Sequence, residues 1–211
     1  RYKIVQIQDR TDEVLARREL TMNLRVETAL ATSSRNLLSG VMTSDPLPGV
    51  LDSLLDASGV GRVYLFRNIQ DDELGLCMSQ VYESCAAGVE SQLDNSELKR
   101  LPYSEGFERW RRDLSRGRII VGEVESFPGG EREILSAQGI LSILVIPIFA
   151  GNEWYGFIGF DSIEEVKEWG EYNLRLLNTA AEMIGAFIDK RRSQQTLAES
   201  ETRYRELVDN L

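Results

Sequence analysis

Ile140-Leu141-Ser142-Ile143-Leu144-Val145-Ile146-Pro147-Ile148-Phe149, then Gly151-Asn152, then Glu153-Trp154-Tyr155-Gly156-Phe157-Ile158-Gly159-Phe160-Asp161, is the stretch that decides the fold. The first segment is almost continuously apolar, as a central sheet strand covered on both faces should be. Gly151-Asn152 is a hairpin signal, so the second segment is the returning antiparallel strand. Pro147 sits oddly in such a strand, because it removes a ladder donor.

Working outward, Arg62–Arg67 is β-branched and aromatic and predicts a strand, Leu74–Glu83 a second, and Ile119-Ile120-Val121 a short one. Val50, Leu51, Leu54 and Leu55 form a buried helical face that Gly59 stops, after a proline-rich break over Thr43–Gly49. Ala86–Lys99 is polar and irregular and predicts a loop. Ser104 can cap a helix carrying Phe107, Trp110 and Leu114 on one face, closed by Gly117. Phe127–Gly130 reads as a turn, followed by a short helix from Glu131 to Gly139.

Long helices are expected at both ends. Tyr2–Gln8 reads as a strand, Asp9 or Thr11 as the cap of a helix running from Val14 to about Gly40, with a stripe of Leu20, Leu24, Leu30, Leu37, Leu38 and Val41. From Gly170, with Trp169 stapling onto Leu174, one face carries Leu177, Ala181, Ile184 and Ile188. The register weakens over Arg191–Thr196 and resumes with Leu197, Tyr204 and Leu211 at sevens, the pattern of a two-helix linker in a dimer. The fold class is therefore α+β: a central antiparallel sheet with helices on both faces and long terminal helices.

Composition narrows the function. The chain has 211 residues, 34 acids against 24 bases, and no histidine. The acidic balance argues against nucleic acid and anionic lipid as partners. Without histidine there is no His-ligated haem, no Ser-His-Asp or Cys-His catalysis and no phospho-accepting histidine within this chain. Cys77 and Cys85 lie on one predicted strand with no turn between them, which argues against a disulfide and for a reducing, cytoplasmic setting. No apolar run is long enough to cross a membrane. The chain starts at Arg1 and ends inside a helical pattern, so it reads as a piece of a longer protein. No phosphate loop, metal box or nucleophile motif is present, so no catalytic residue is expected.

The stretch Gln138–Ile148 followed by Trp154–Asp161 resembles the GAF domain, whose members carry a "gi-x-S-x-l-x-v-P-i" strand and then a "G-x-l-x-l" strand ending near an acid; Pro147 is then a family feature. The helix with Trp169, Glu171, Leu177, Ala181, Ile184 and Gly185 is similar to the family's last helix. The ends carry a second resemblance. Tyr2–Glu13 looks like the exit of a PAS domain, with Arg10 where Ile is usual, and Glu199–Val208 is similar to the "E-S-E-x-R-Y-R-x-L-V" entry of another. These resemblances divide the chain into an upstream PAS edge (1–13), a linker helix (14–42), a GAF domain (43–190), and a linker helix with the start of a downstream PAS domain (191–211).

The resemblance implies a cytoplasmic sensor module of a multidomain, bacterial-type signalling protein, a two-component histidine kinase or a cyclic-di-nucleotide cyclase or phosphodiesterase. It would bind a small molecule in a pocket of roughly 300–1,000 Å³ and relay occupancy through a homodimer of terminal helices. The alternative is a ligand-free dimerising spacer whose pocket is filled by Phe107, Trp110 and Leu135. Pocket candidates are Cys77, Tyr82, Tyr103, Phe107, Trp110, Phe127, Ser136 and Ser142; the aromatics among them fit plain core equally. Transmission candidates are Leu24, Leu30 and Leu37 at entry and Leu177, Ile184, Ile188 and Leu197 at exit. The GAF resemblance argues against a bilin, since such domains attach it through a Cys followed by His, and here Met78 and Ala86 follow the cysteines; haem would need a His. The cluster Arg109, Arg111, Arg112, Arg116 and Arg118 reads as a solvated helix face paired with Glu105, Glu108 and Asp113.

Overall fold

The computed structural model describes the backbone of residues 2–38 and 45–209 and the side chains of Arg17 and of residues 20–37 and 45–205. Its elements are α1 (Tyr2–Leu38), α2 (Leu47–Ser58), β1 (Arg62–Asp71), β2 (Gly75–Cys85), β3 (Leu101–Pro102), α3 (Glu108–Leu114), β4 (Ile120–Glu123), α4 (Gly129–Ala137), β5 (Ser142–Ala150), β6 (Glu153–Ser162) and α5 (Glu171–Asp209). The strands form one six-stranded sheet in the order β3-β2-β1-β6-β5-β4, antiparallel throughout.

The decisive hairpin forms as expected, with Ala150 opposite Glu153. Pro147 lies past the last β4 pair, Ile120 with Val145. There β5 has become an edge, the place where a strand proline leaves no ladder bond unmade.

Side-chain alternation splits each strand between two cores. Val63, Leu65, Leu144, Ile146, Ile148, Ile158 and Phe160 meet α1, α2 and α5 on one face. Tyr64, Phe66, Met78, Ile143, Val145 and Phe157 meet α3, α4 and their loops on the other. Helices thus cover both faces. Gly185 sets the closeness of α5, because a Cβ there would lie 2.1 Å from the Phe149 carbonyl oxygen.

Two local expectations fail. The backbone of Tyr2–Gln8 is helical and continuous with α1, so the helix begins well before Asp9 or Thr11. A strand must find its hydrogen-bond partners on a neighbour, whereas a helix satisfies its own, and the strands of the described sheet pair only with one another. Nor does Ser104 cap α3, which starts at Glu108 behind Phe107 with no side-chain cap; Phe107 N–H bonds the Tyr103 carbonyl instead.

The terminal helices are only partly embedded. Val26, Ala29, Leu30 and Leu37 of α1, and Leu177, Ala180, Ala181, Ile184 and Ile188 of α5, are core. Leu24 and Leu197 are 56% and 61% exposed, and Leu20 and Tyr204 are exposed beside them on their helices. The side chain of Leu38, and Val41 and Leu211 altogether, lie outside the described residues. No described helix is long and apolar enough to cross a membrane.

Candidate functional site

A cavity of about 40 Å³ lies between the sheet and the α3/α4 layer. Its wall is apolar and largely aromatic. Phe66 and Phe157 stack at 5.0 Å; Trp110 meets Phe157 edge-on at 5.7 Å and Phe107 at 4.9 Å. Leu98, Leu101, Ile134, Leu135 and Ile140 complete it.

One end of the cavity is polar and built from strand residues. Arg62 on β1 and Asp161 on β6 are both buried, with Arg62 Nε 3.5 Å from Asp161 Oδ2. That contact is an ion pair without a hydrogen bond: Arg62 Nε has no hydrogen-bond partner. Arg62 Nη2 donates to the Gln138 carbonyl at 3.0 Å, and Tyr64 Oη donates to Asp161 Oδ1 at 2.7 Å. Tyr64 can lie there because Gly159 is bare; a Cβ would sit 2.2 Å from its ring. Burial, the dominant cause, raises the Asp161 pKa to about 7 against the pull of Arg62 and Tyr64. Burial and then Asp161 likewise push the Tyr64 hydroxyl well above its usual range.

The loop over this end is tied to β2. Glu83 Oε2 accepts from Ser91 Oγ at 2.5 Å and from the backbone N–H of Gln92 and Leu93, and Lys99 Nζ donates to the Gln80 carbonyl at 3.0 Å. The side wall is tied by Glu131, which is buried and accepts from Arg109 and, at 3.0 Å, from Trp110 Nε1. Arg109 therefore pairs across to α4 rather than with an acid of its own helix. Arg112 and Arg118 do pair with Asp113, as expected.

Of the sequence-predicted pocket residues, Phe107 and Trp110 line the cavity. Tyr103 and Phe127 belong to the same core, but Tyr103 Oη is turned to Asn68 Oδ1 at 2.7 Å and Phe127 lies beneath Arg109. Cys77 is buried with its Sγ on the Gly75 carbonyl. Ser136 is exposed. Tyr82 packs toward the α1/α2/α5 core, and Ser142 Oγ accepts from Lys167 N–H. Both cysteines are free. Burial raises the Cys77 pKa, and burial with Glu83 raises that of Cys85 to about 11, so neither thiol is poised as a thiolate.

Arg62, Tyr64, Gln80, Gln138 and Asp161 were not singled out from the sequence. Their signal was a lone charge in each of two otherwise apolar strands, Arg62 in RVYLFR and Asp161 in EWYGFIGFD. Buried opposite charges are placed together, but only strand pairing puts Arg62 directly opposite Asp161.

A second polar cluster lies on the opposite face, where α5 leaves the core. Asp45 Oδ2 accepts from Tyr82 Oη at 2.5 Å and from Arg191 Nη1 at 2.9 Å, and Asp45 Oδ1 accepts from Leu47 N–H. Burial acts to raise the Asp45 pKa, but the bonds from Tyr82, Arg191 and Leu47 outweigh it and the value is lowered. One residue further, Arg192 pairs with Glu153 and stacks on Tyr155.

Residues 45–188 match the GAF domain family. Over 200 residues, 95% of this chain, the sequence is 34% identical to the methanogenesis regulatory histidine kinase FilI of Methanothrix harundinacea, of whose length the chain spans 22%. The fold is similar to the phycocyanobilin-bound GAF domain from a cyanobacterial phytochrome, with TM-score 0.66 and 16% identity over 80% of this chain and 96% of that one. It is also similar to the bacteriophytochrome RpBphP3 from R. palustris, with TM-score 0.68 and 13% identity over 87% of this chain and 40% of that one.

Proposed function

The chain belongs to the GAF domain family, and on that premise we propose that it is the regulatory sensor domain of a histidine-kinase-type signalling protein. It binds a small molecule in the cavity and relays occupancy along α5 in a homodimer, to an output domain that carries the catalysis. The observation that carries this reading is the course of β2. Met78, Gln80 and Glu83 border the cavity. Tyr82, reached through a bulge between Gln80 and Tyr82, crosses to the other face and grips Asp45, which holds Arg191 on α5. A strand shift at the cavity would therefore reach the exit helix through two hydrogen bonds. Transmission requires two arrangements of these contacts with different ligand affinities.

Beyond Arg191 the helix runs exposed for about 27 Å, with Leu197 and Tyr204 one heptad apart and uncovered. With Leu20 and Leu24 of α1 they supply an apolar seam for a parallel partner helix. The PAS-like edges place the domain between two PAS domains of the parent protein. The bilin of the structural relative is not extended to this chain: the cavity of about 40 Å³ has no room for a tetrapyrrole.

A second reading is favoured by the same small volume. Phe107, Trp110 and Leu135 fill much of the space, as in a ligand-free dimerising spacer. Native mass spectrometry of the purified chain, beside its denatured mass, separates the two. A dimer with an added non-covalent mass is expected for the sensor. A bare dimer moves the balance to the spacer, and a monomer at micromolar concentration overturns the helix relay.

A further inference from the structure

Two side chains that line the cavity are 3% and 2% exposed, Arg62 and Gln80, and each turns one polar atom to no hydrogen-bond partner: Arg62 Nε and Gln80 Oε1. Buried polar atoms are nearly always paired, and those left over mark a place where something else supplies the bond. The neighbouring groups are already engaged: Arg62 Nη2 by Gln138, Asp161 by Tyr64, the Gln80 carbonyl by Lys99, and Glu83 by the loop over the mouth. The unmet demand is therefore specific, one N–H donor and one side-chain amide.

Resting on the sensor reading above, we propose that the cavity takes a small, neutral, planar ring molecule bearing an amide edge, whose acceptor bonds Arg62 Nε and whose amide pairs with that of Gln80. Planarity follows from the wall, where Phe66 and Phe157 stack in parallel and Trp110 closes the side. Small size follows from the space, about 40 Å³ before any adjustment of α3 or α4. Neutrality follows from the charges at the polar end. Arg62 already faces Asp161 at 3.5 Å, so an anion would leave surplus negative charge in a buried site and a cation surplus positive. An amide edge complements a glutamine amide in either of its orientations.

The test uses three probes of nearly one shape, benzamide, benzoate and toluene, with the wild-type chain and Gln80→Leu, read by ligand-observed NMR titration at neutral pH. Benzamide is expected to bind about tenfold more tightly than benzoate, and Gln80→Leu to weaken benzamide about tenfold while leaving toluene within about twofold. Because Gln80 Oε1 has no partner to lose, Gln80→Leu is expected to fold, and an unchanged toluene titration verifies it. Benzoate binding as tightly as benzamide overturns neutrality. Benzamide that is indifferent to Gln80→Leu, or no tighter than toluene, overturns the amide edge. Failure of all three probes to bind sinks this ligand class. The sensor reading answers to a different result, the native mass: an added large or charged molecule there preserves the sensor and eliminates the neutral ring amide.

Discussion

On the α1/α2/α5 side the sheet meets Leu51, Leu54, Leu177 and Ile184, aliphatic side chains with no solvent exposure. On the α3/α4 side the same strands meet aromatic rings, a cavity and a buried ion pair with an unmade hydrogen bond. The first face is packed for stability, as interdigitated aliphatic chains leave little void. The second holds polar groups that cost stability where they are, the mark of a site kept for binding. One strand, β2, serves both. A domain of this kind keeps its rigid face against the helices that carry the signal and its imperfect face toward the ligand.

Paired truncations give the largest contrast. Phe160→Ala, between sheet and α5, is expected to cost about 4 kcal/mol. Phe107→Ala, beside an existing void with fewer contacts to lose, should cost about 1 kcal/mol less. Urea unfolding of both measures this, and equal costs would erase the distinction between the faces.

The next effect is electrostatic. The Asp161 pKa is raised to about 7 by burial, so the native state holds a proton that the unfolded state releases near pH 4. The resulting stability is fully present below that unfolded value and is lost as pH rises through about 7, amounting to a few kcal/mol, roughly 2–4. Unfolding midpoints at pH 5 and pH 8 should fall apart for the wild type and converge for Asp161→Asn, in which Arg62, Tyr64 and Glu83 remain the charged or titratable neighbours. An unchanged difference in the variant would mean that other groups set the slope.

The smallest effect belongs to the exposed end of α5. Glu153→Gln breaks the Arg192 pair, and solvent screening limits the loss to about 0.5 kcal/mol or less. A larger drop in midpoint would show that the hairpin holds the helix more firmly than an exposed ion pair can.

The hairpin, the buried face of α2, the strand of Arg62–Arg67 and the inward faces of α3 and α5 were legible in the sequence, because each is a local periodicity of two or 3.6. Phe107 and Trp110 were legible as cavity candidates for the same reason. Tyr82 shows where this stops. It is a polar aromatic on a strand that borders the cavity, yet a bulge at Val81 turns it to the other face, and a bulge leaves no mark in the periodicity of a short strand. Tyr2–Gln8 shows a second limit: its alternation suits a strand, but a strand exists only beside another.

From the order of residues alone came the family resemblance, the antiparallel α+β class and the absence of histidine chemistry within the chain, all properties of composition and local pattern. The polar end of the cavity, Arg62 against Asp161 with Tyr64 and Gln80, and the Tyr82–Asp45–Arg191 link needed the tertiary structure. Their members stand tens of residues apart, and their roles arise from register, burial and the low polarity of the space they share.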